Sequence, residues 1–254
     1  MYNASKTLAR MLNSLCGQSY ENWSIHVIDD VSHNDEQAKC ISILDNFESQ
    51  LRLCDQDDKI TVTWNSQSRG KQWEVSNVLY GLSKCSDDDI ICRIDADDYL
   101  CDLDALLLIN QVYNQTDCDA AWSMHRWGRS DRNISGPLKN GVSVYEQPWV
   151  SSHLKTFRKK LLRNVPYENF TNSSGDLVKR AGDQAIYLPA LHNSSKNIFI
   201  PRALYGYTIE ENNGAVYHTD DAKFQKDEAD FIRSRGYVSA GESWESVLVK
   251  NESV

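Results

Sequence analysis

Helical and strand-like patterns alternate through the first hundred residues, and two of the strand-like segments end in aspartates. Leu8, Met11, Leu12 and Leu15 repeat at helical spacing, with Gly17 placed where a C-terminal cap falls. Trp23 to Ile28 reads as a buried strand that runs into Asp29-Asp30. Ile41, Leu44, Phe47 and Leu51 mark a second helix, entered through Asn34 or Asp35 as a cap. Lys59 to Trp64 alternates like a strand; Trp73, Val78, Leu79 and Leu82 mark a third helix; Ile90 to Ile94 forms a third strand, ending in Asp95-Ala96-Asp97-Asp98. Strands alternating with helices of this length predict right-handed crossovers and an α/β domain with a mixed, mostly parallel sheet flanked by helices. Ligands of such sheets bind beyond the carboxyl ends of the strands, where both acidic pairs fall.

After about residue 118 the alternation loosens. Strands are expected at Ala120 to Met124 and Leu204 to Ile209, and helices at Phe157 to Arg163, Gly182 to His192 and Asp220 to Arg235. With 254 residues and no linker or repeat, one domain is expected: a first half over 1–105, a second over 106–210, and a C-terminal helical extension over 211–254. The net charge of −9 argues against a nucleic-acid-binding surface, leaving Arg158-Lys159-Lys160 with Arg163 as the one basic cluster. Seven scattered cysteines without a CxxC pair suit reduced thiols, and no apolar run approaches a membrane span, so a cytoplasmic protein is expected.

The segment Arg93-Ile94-Asp95-Ala96-Asp97-Asp98-Tyr99 places three carboxylates within four residues at a strand end. Concentrating negative charge there is costly unless a cation shares it. Oxygen ligands that also meet a diphosphate suit Mg²⁺ or Mn²⁺; the plainer alternative is a solvated acidic loop ahead of the helix that begins near Asp102.

Four segments, taken together, resemble consecutive motifs of the family 2 inverting glycosyltransferases with the GT-A fold. They are Tyr2-Asn3-Ala4-Ser5-Lys6-Thr7-Leu8, Leu15-Cys16-Gly17-Gln18-Ser19-Tyr20, Val27 to Asp35, and Ile94 to Asp98. The later half is similar more loosely, through His153 to Arg158, Gly182-Asp183-Gln184 and Leu204 to Tyr207. The resemblance implies transfer of a sugar from a nucleoside-diphosphate donor, UDP-linked by default, with Mn²⁺ or Mg²⁺. The acceptor would be a glycan, a lipid-linked sugar, a protein or another hydroxyl compound.

Carried over by motif, Tyr2 and Asp30, together with Asp29, would cradle base and ribose, a turn or cap role being the alternative for either aspartate. Arg69, Lys71 and Asn77 would line the donor site, and Asp95 would meet the donor sugar or ribose. Asp97 would be the principal metal ligand, with Asp98 supporting and His218 near metal or diphosphate. Asp183 would be the general base, against a helix-capping alternative, with Asp176 as fallback. Trp149 and His153 would border the acceptor, and Trp122, His125 and Trp127 would form a sugar-binding wall.

The resemblance also implies an apolar strand ahead of the Tyr2-Asn3 motif. Without it, two neighbouring strands are expected to lack hydrogen-bond partners. Two other readings stay open on residues alone: a degenerate transferase that only binds sugar or nucleotide, and a nucleotidyltransferase, whose Gly-rich basic loop Asn3 to Leu8 does not supply.

Overall fold

The computed structural model describes residues 1–66, 73–128, 130, 132–208 and 219–252. Helix α1 (Leu8–Cys16) buries Leu8, Met11, Leu12 and Leu15 and closes through the Gly17 N–H on Asn13 O at 3.1 Å. Strand β1 (Ile25–Asp29) leads to α2 (Asn34–Arg52). The residue preceding α2 is His33, which makes no side-chain cap bond, so the expected cap at Asn34 or Asp35 is not formed. Asp35 instead sits in the first turn with Glu36, where the helix dipole favours negative charge. Then follow β2 (Ile60–Trp64), α3 (Trp73–Ser83), β3 (Ile90–Cys92), the short β4 (Tyr99–Leu100) and α4 (Ala105–Thr116). The second half contributes β5 (Ala120–Trp127), β6 (Lys155–Arg158), α5 (Gly182–Asn193), β7 (Asn197–Tyr207), α6 (Thr219–Arg235) and α7 (Trp244–Glu252).

The strands form a parallel pair, β1-β2, and a five-stranded sheet in the order β3-β6-β5-β7-β4. β5 and β7 are parallel, while β6 runs antiparallel to both β3 and β5 and β4 antiparallel to β7. The sheet is mixed, as expected, with the longer ladders parallel (β1-β2 and β5-β7) and short antiparallel ones at β6 and β4. One expected element differs, at β6. The helix expected at Phe157 to Arg163 is instead the end of this strand followed by a 3₁₀ turn, Lys159–Leu162. Phe157 pairs with Ile91 on one side and Ala120 on the other, so ladders on both edges take up the backbone groups a helix would need.

Two apolar clusters hold these layers. One joins α1, α2 and α4 through Leu8, Leu44, Phe47, Ile109 and Tyr113. The other gathers Trp122, Phe157, Phe170 and six residues of α5 with Ile232 of α6 and Trp244 of α7. Trp244 is fully buried and donates from Nε1 to Leu162 O at 2.7 Å. The basic cluster of the sequence is neutralised internally: Lys159 lies between Asp87 and Glu245, Arg163 meets Asp87, and Lys160 meets Asp119. No described helix is long and apolar enough to cross a membrane.

Among the described strands β1 pairs only with β2, and β3 only with β6. A groove of about 1670 Å³ separates their remaining edges, lined by Ile25 and Val27 on one side and Ile90 and Cys92 on the other. At its upper end the Met1 ammonium donates to Ile28 O at 2.5 Å and Met1 O accepts from the Asp30 N–H at 2.8 Å. That exchange is the pattern of a parallel ladder, limited to one residue.

Candidate active site

The end of β1 and the first residues of the chain are fastened together. The Asn3 N–H donates to Ser32 Oγ at 2.8 Å, and the His33 N–H donates to Asn3 Oδ1 at 2.9 Å. Tyr2 is half exposed, its hydroxyl 3.0 Å from His33 Nε2. The two aspartates then part company. Asp29 is fully buried and accepts from Ser32 Oγ (2.6 Å), the Ser32 N–H (3.0 Å) and Gln37 Nε2 (3.3 Å), so it braces the turn into α2. Asp30 lines the groove and has one buried carboxylate oxygen without a hydrogen-bond partner. Asn77, on α3, also lines the groove and accepts through Oδ1 from Asn65 Nδ2 at 2.9 Å, tying the end of β2 to α3.

Past the end of β3, Arg93 is enclosed by carboxylates. It donates from Nη1 to Asp183 Oδ1 at 2.6 Å and from Nη2 to Asp95 Oδ1 at 2.9 Å, and it pairs with Glu74 of α3. Lys155 of β6, almost wholly buried, reaches Asp183 Oδ1 at 2.9 Å and His153 Nδ1 at 3.1 Å. Accepting a hydrogen bond at Nδ1 leaves the His153 N–H at Nε2, 3.8 Å from Asp183. The His153 ring is stacked on Tyr205 at 4.7 Å between centroids. Burial pushes its imidazole down to about 3, with Lys155 acting in the same direction. This histidine, expected to border an acceptor, is buried against the proposed base.

Asp183 stands in the first turn of α5, which has no side-chain cap. Glu228 of α6 braces the turn before the helix, its buried carboxylate accepting from the backbone N–H groups of Lys179, Arg180 and Ala181. Burial alone would raise the Asp183 pKa, but Lys155 and then Arg93 outweigh it and hold the carboxylate well below its usual range. Asp95 moves the same way, with Arg93 overcoming the cost of burial. The fallback base, Asp176, is exposed in a turn closed by Asn172.

Asp97 and Asp98 behave oppositely. Both carboxyls are pushed up by burial and then by Asp95, Asp98 to about 8. Asp98 accepts from the Thr208 N–H at 2.8 Å through Oδ1, and the Tyr205 hydroxyl acts on the same carboxyl. Arg10 of α1 donates to Asp97 O at 2.8 Å and to Thr208 Oγ1 at 2.7 Å, holding the backbone at this corner. Among the described residues no three His, Cys, Asp or Glu side chains converge on one point. Mg²⁺ and Mn²⁺ do not require that: one or two carboxylates completed by donor phosphates and water suffice. Asp97 on the groove wall, with the Asp98 carboxyl next to it in the chain, therefore fits such an ion.

Arg69, Lys71 and His218 lie outside the described residues. Trp149 packs edge-on against Tyr187 at the margin of the second core. Trp122 and His125 are buried, so a wall formed with Trp127 offers little surface to a sugar. Trp122 is instead a core residue whose Nε1 donates to Gly136 O. Reading the sequence missed Arg93, Lys155, Glu74 and Tyr205. Arg93 carried a usable signal, being a single cation inside the apolar run Ile90 to Ile94, whereas Lys155, in a polar stretch with three further cations close behind, carried little. Glu74 and Tyr205 carried none, because their roles depend on partners 19 to 110 positions away in the chain.

The model of the family described as glycosyl transferase family 2 matches residues 1–176. No curated protein sequence matches. Among solved structures, S. aureus TarS 1-349 is 17% identical with a TM-score of 0.60, covering 82% of this chain and 58% of its own. TarS 1-349 in complex with UDP is 16% identical with a TM-score of 0.59, covering 91% of this chain and 68% of its own. The mannosyltransferase PcManGT from Pyrobaculum calidifontis, in complex with GDP-Man and Mn²⁺, is 12% identical with a TM-score of 0.55, covering 100% of this chain and 77% of its own. The chain thus spans less than two thirds of the first of these structures, and at these identities the likeness concerns the fold. The match over more than half of the sequence carries the assignment: this chain belongs to glycosyl transferase family 2.

Proposed function

We propose that the chain transfers a glycosyl group from a nucleoside-diphosphate sugar to an acceptor hydroxyl, with inversion, and that Asp183 is the general base. The observation that carries this reading is the placement of Asp183: a carboxylate in the first turn of α5, kept ionised by Lys155 and Arg93. In a single displacement the acceptor O–H proton passes to Asp183, and the oxygen's electron pair forms the bond to the anomeric carbon. The bond from that carbon to the diphosphate oxygen breaks, and its pair leaves with the nucleotide. Tyr2, Asp30 and Asn77 would line the nucleotide side, and Asp95, oriented by Arg93, the donor sugar. Asp97, supported by Asp98, would hold Mg²⁺ or Mn²⁺, which when bound supplies charge stabilisation for the departing diphosphate. UDP is the first nucleotide to try, since a structural neighbour is in complex with it, and GDP-mannose the second.

The test is nucleotide release from UDP-glucose, UDP-N-acetylglucosamine and GDP-mannose with Mn²⁺, water serving as acceptor, repeated for Asp183→Asn. A general base contributes about 10²–10⁴-fold, so turnover is expected to fall by that much while nucleotide affinity holds. Full turnover by Asp183→Asn would remove it as base. Nucleotide binding without turnover of any donor would favour the binding-only reading.

A further inference from the structure

The first residue of α5 is a glycine for a reason that lies on another helix. A Cβ built on Gly182 would stand 2.7 Å from Glu74 Cδ and 2.8 and 2.9 Å from its carboxylate oxygens. Glu74, in the first turn of α3, thus lays its carboxylate against the backbone beside Asp183. The same carboxylate pairs with Arg93, which also binds Asp183 and Asp95. Its side chain is about one third exposed (32%) and lines the groove.

The charges of this cluster can be counted. Arg93 and Lys155 supply two positive charges, Asp95, Asp183 and Glu74 three negative ones, and His153 is neutral. With Glu74 ionised the cluster carries one net negative charge, and a proton arriving on Asp183 brings it to neutrality. Without the Glu74 charge the same proton would turn a neutral cluster into a buried cation, which low-dielectric surroundings resist. Glu228 of α6 faces the preceding turn and is committed to three N–H groups, so it does not supply that charge.

We propose that Glu74 is a positioning residue for the transfer reaction: it shares Arg93 with Asp183 and provides the negative charge that lets Asp183 take a proton. The inference rests on the reading of Asp183 as base. Glu74 is itself a poised group, since burial pushes its carboxyl up to about 7 against the pull of Arg93. Its deprotonation would thus coincide with the onset of activity as pH rises.

The experiment compares the wild-type chain with Glu74→Gln, using the donor that is hydrolysed fastest among UDP-glucose, UDP-N-acetylglucosamine and GDP-mannose with Mn²⁺. Glu74→Gln is expected to lower kcat at least tenfold, keep donor KM within twofold, and erase the acid limb near neutrality. Gly182→Ala, which keeps every charge but pushes the Glu74 carboxylate away from Arg93, should lower kcat in the same way and serves if Glu74→Gln does not fold. The double variant Glu74→Ala with Gly182→Asp returns a carboxylate to the same space from α5, and at least partial recovery of kcat is expected. Unchanged kcat and acid limb in Glu74→Gln, with Asp183→Asn inactive, would overturn the role of Glu74 and leave that of Asp183 standing. A loss confined to KM would overturn it in favour of donor binding. Turnover surviving in Asp183→Asn, or no turnover of any donor by the wild type, overturns the parent reading and this one with it.

Discussion

Two pairs of carboxylates stand at the same end of one sheet, and their surroundings drive them in opposite directions. Asp95 and Asp183 face Arg93 and Lys155 and are held ionised; Asp97 and Asp98, two and three residues beyond Asp95, are pushed toward the protonated form. Burial is the first-ranked influence on all four, so burial is not what separates them. What separates them is how strongly the protein's own cations act: Arg93 and Lys155 outweigh burial at the first pair, whereas Arg10 and the N-terminus only partly offset burial and Asp95 at Asp97. The second pair thus keeps carboxyls that an incoming divalent ion would help to ionise. A site divided in this way can keep an ionised base and a metal position side by side without the two competing for one cation.

The comparison can be broken most forcefully at Arg93. Arg93→Met strands Glu74, Asp95 and Asp183, and removing one partner of a buried ion network typically costs about 3–5 kcal/mol. A loss of that size in urea denaturation is expected, and a change under about 1 kcal/mol would show that Arg93 is dispensable. A smaller effect is expected at Asp97. Asp97→Asn should remove the dependence of UDP binding on Mn²⁺, weakening it about tenfold in calorimetry with the ion and leaving metal-free binding unchanged. Metal-independent UDP binding by the wild type would sink the proposed role of Asp97.

The third test uses pH. His153 is pushed down to about 3 in the folded protein from an ordinary value of 6.5. Between those values the unfolded chain binds the extra proton, so this contribution to stability is complete above about pH 6.5 and is lost as pH falls toward 3. His153→Gln should therefore flatten the acid side of the stability curve by up to about 1.4 kcal/mol per pH unit, read from denaturation midpoints between pH 4 and 7. The smallest effect belongs to Asp98. Asp98, held at about 8, is mostly uncharged at pH 7, and Asp98→Asn keeps a neutral group of similar shape with an acceptor for the Thr208 N–H, so stability at pH 7 should stay within about 1 kcal/mol of the wild type. A loss of several kcal/mol would mean that Asp98 is ionised in the folded protein and held by partners that the amide cannot replace.

Much of the first half was legible in the residues alone. The periodicity of Leu8, Met11, Leu12 and Leu15 fixes α1, and the apolar run before Asp29-Asp30 fixes β1, because local pattern and burial agree there. The second half resisted. Phe157 to Arg163 has helical composition but enters the sheet between β3 and β5, and α7 carries no strong pattern yet buries Trp244 completely. In both places long-range pairing overrides local preference.

By itself the sequence determined which carboxylates gather at the strand ends, since Asp29-Asp30 and Asp95 to Asp98 follow their strands directly and chain connectivity carries them there. Only the tertiary structure decided what each carboxylate does. It turned Asp29 inward to Ser32, set Glu228 against the turn before α5, and brought Arg93, Lys155, Glu74 and Asp183 together from four separate segments. The physical reason is the steepness of electrostatics at short range in a buried site. A cation at 3 Å or its absence reverses the state of an aspartate, and sequence spacing carries no information about which cation will arrive.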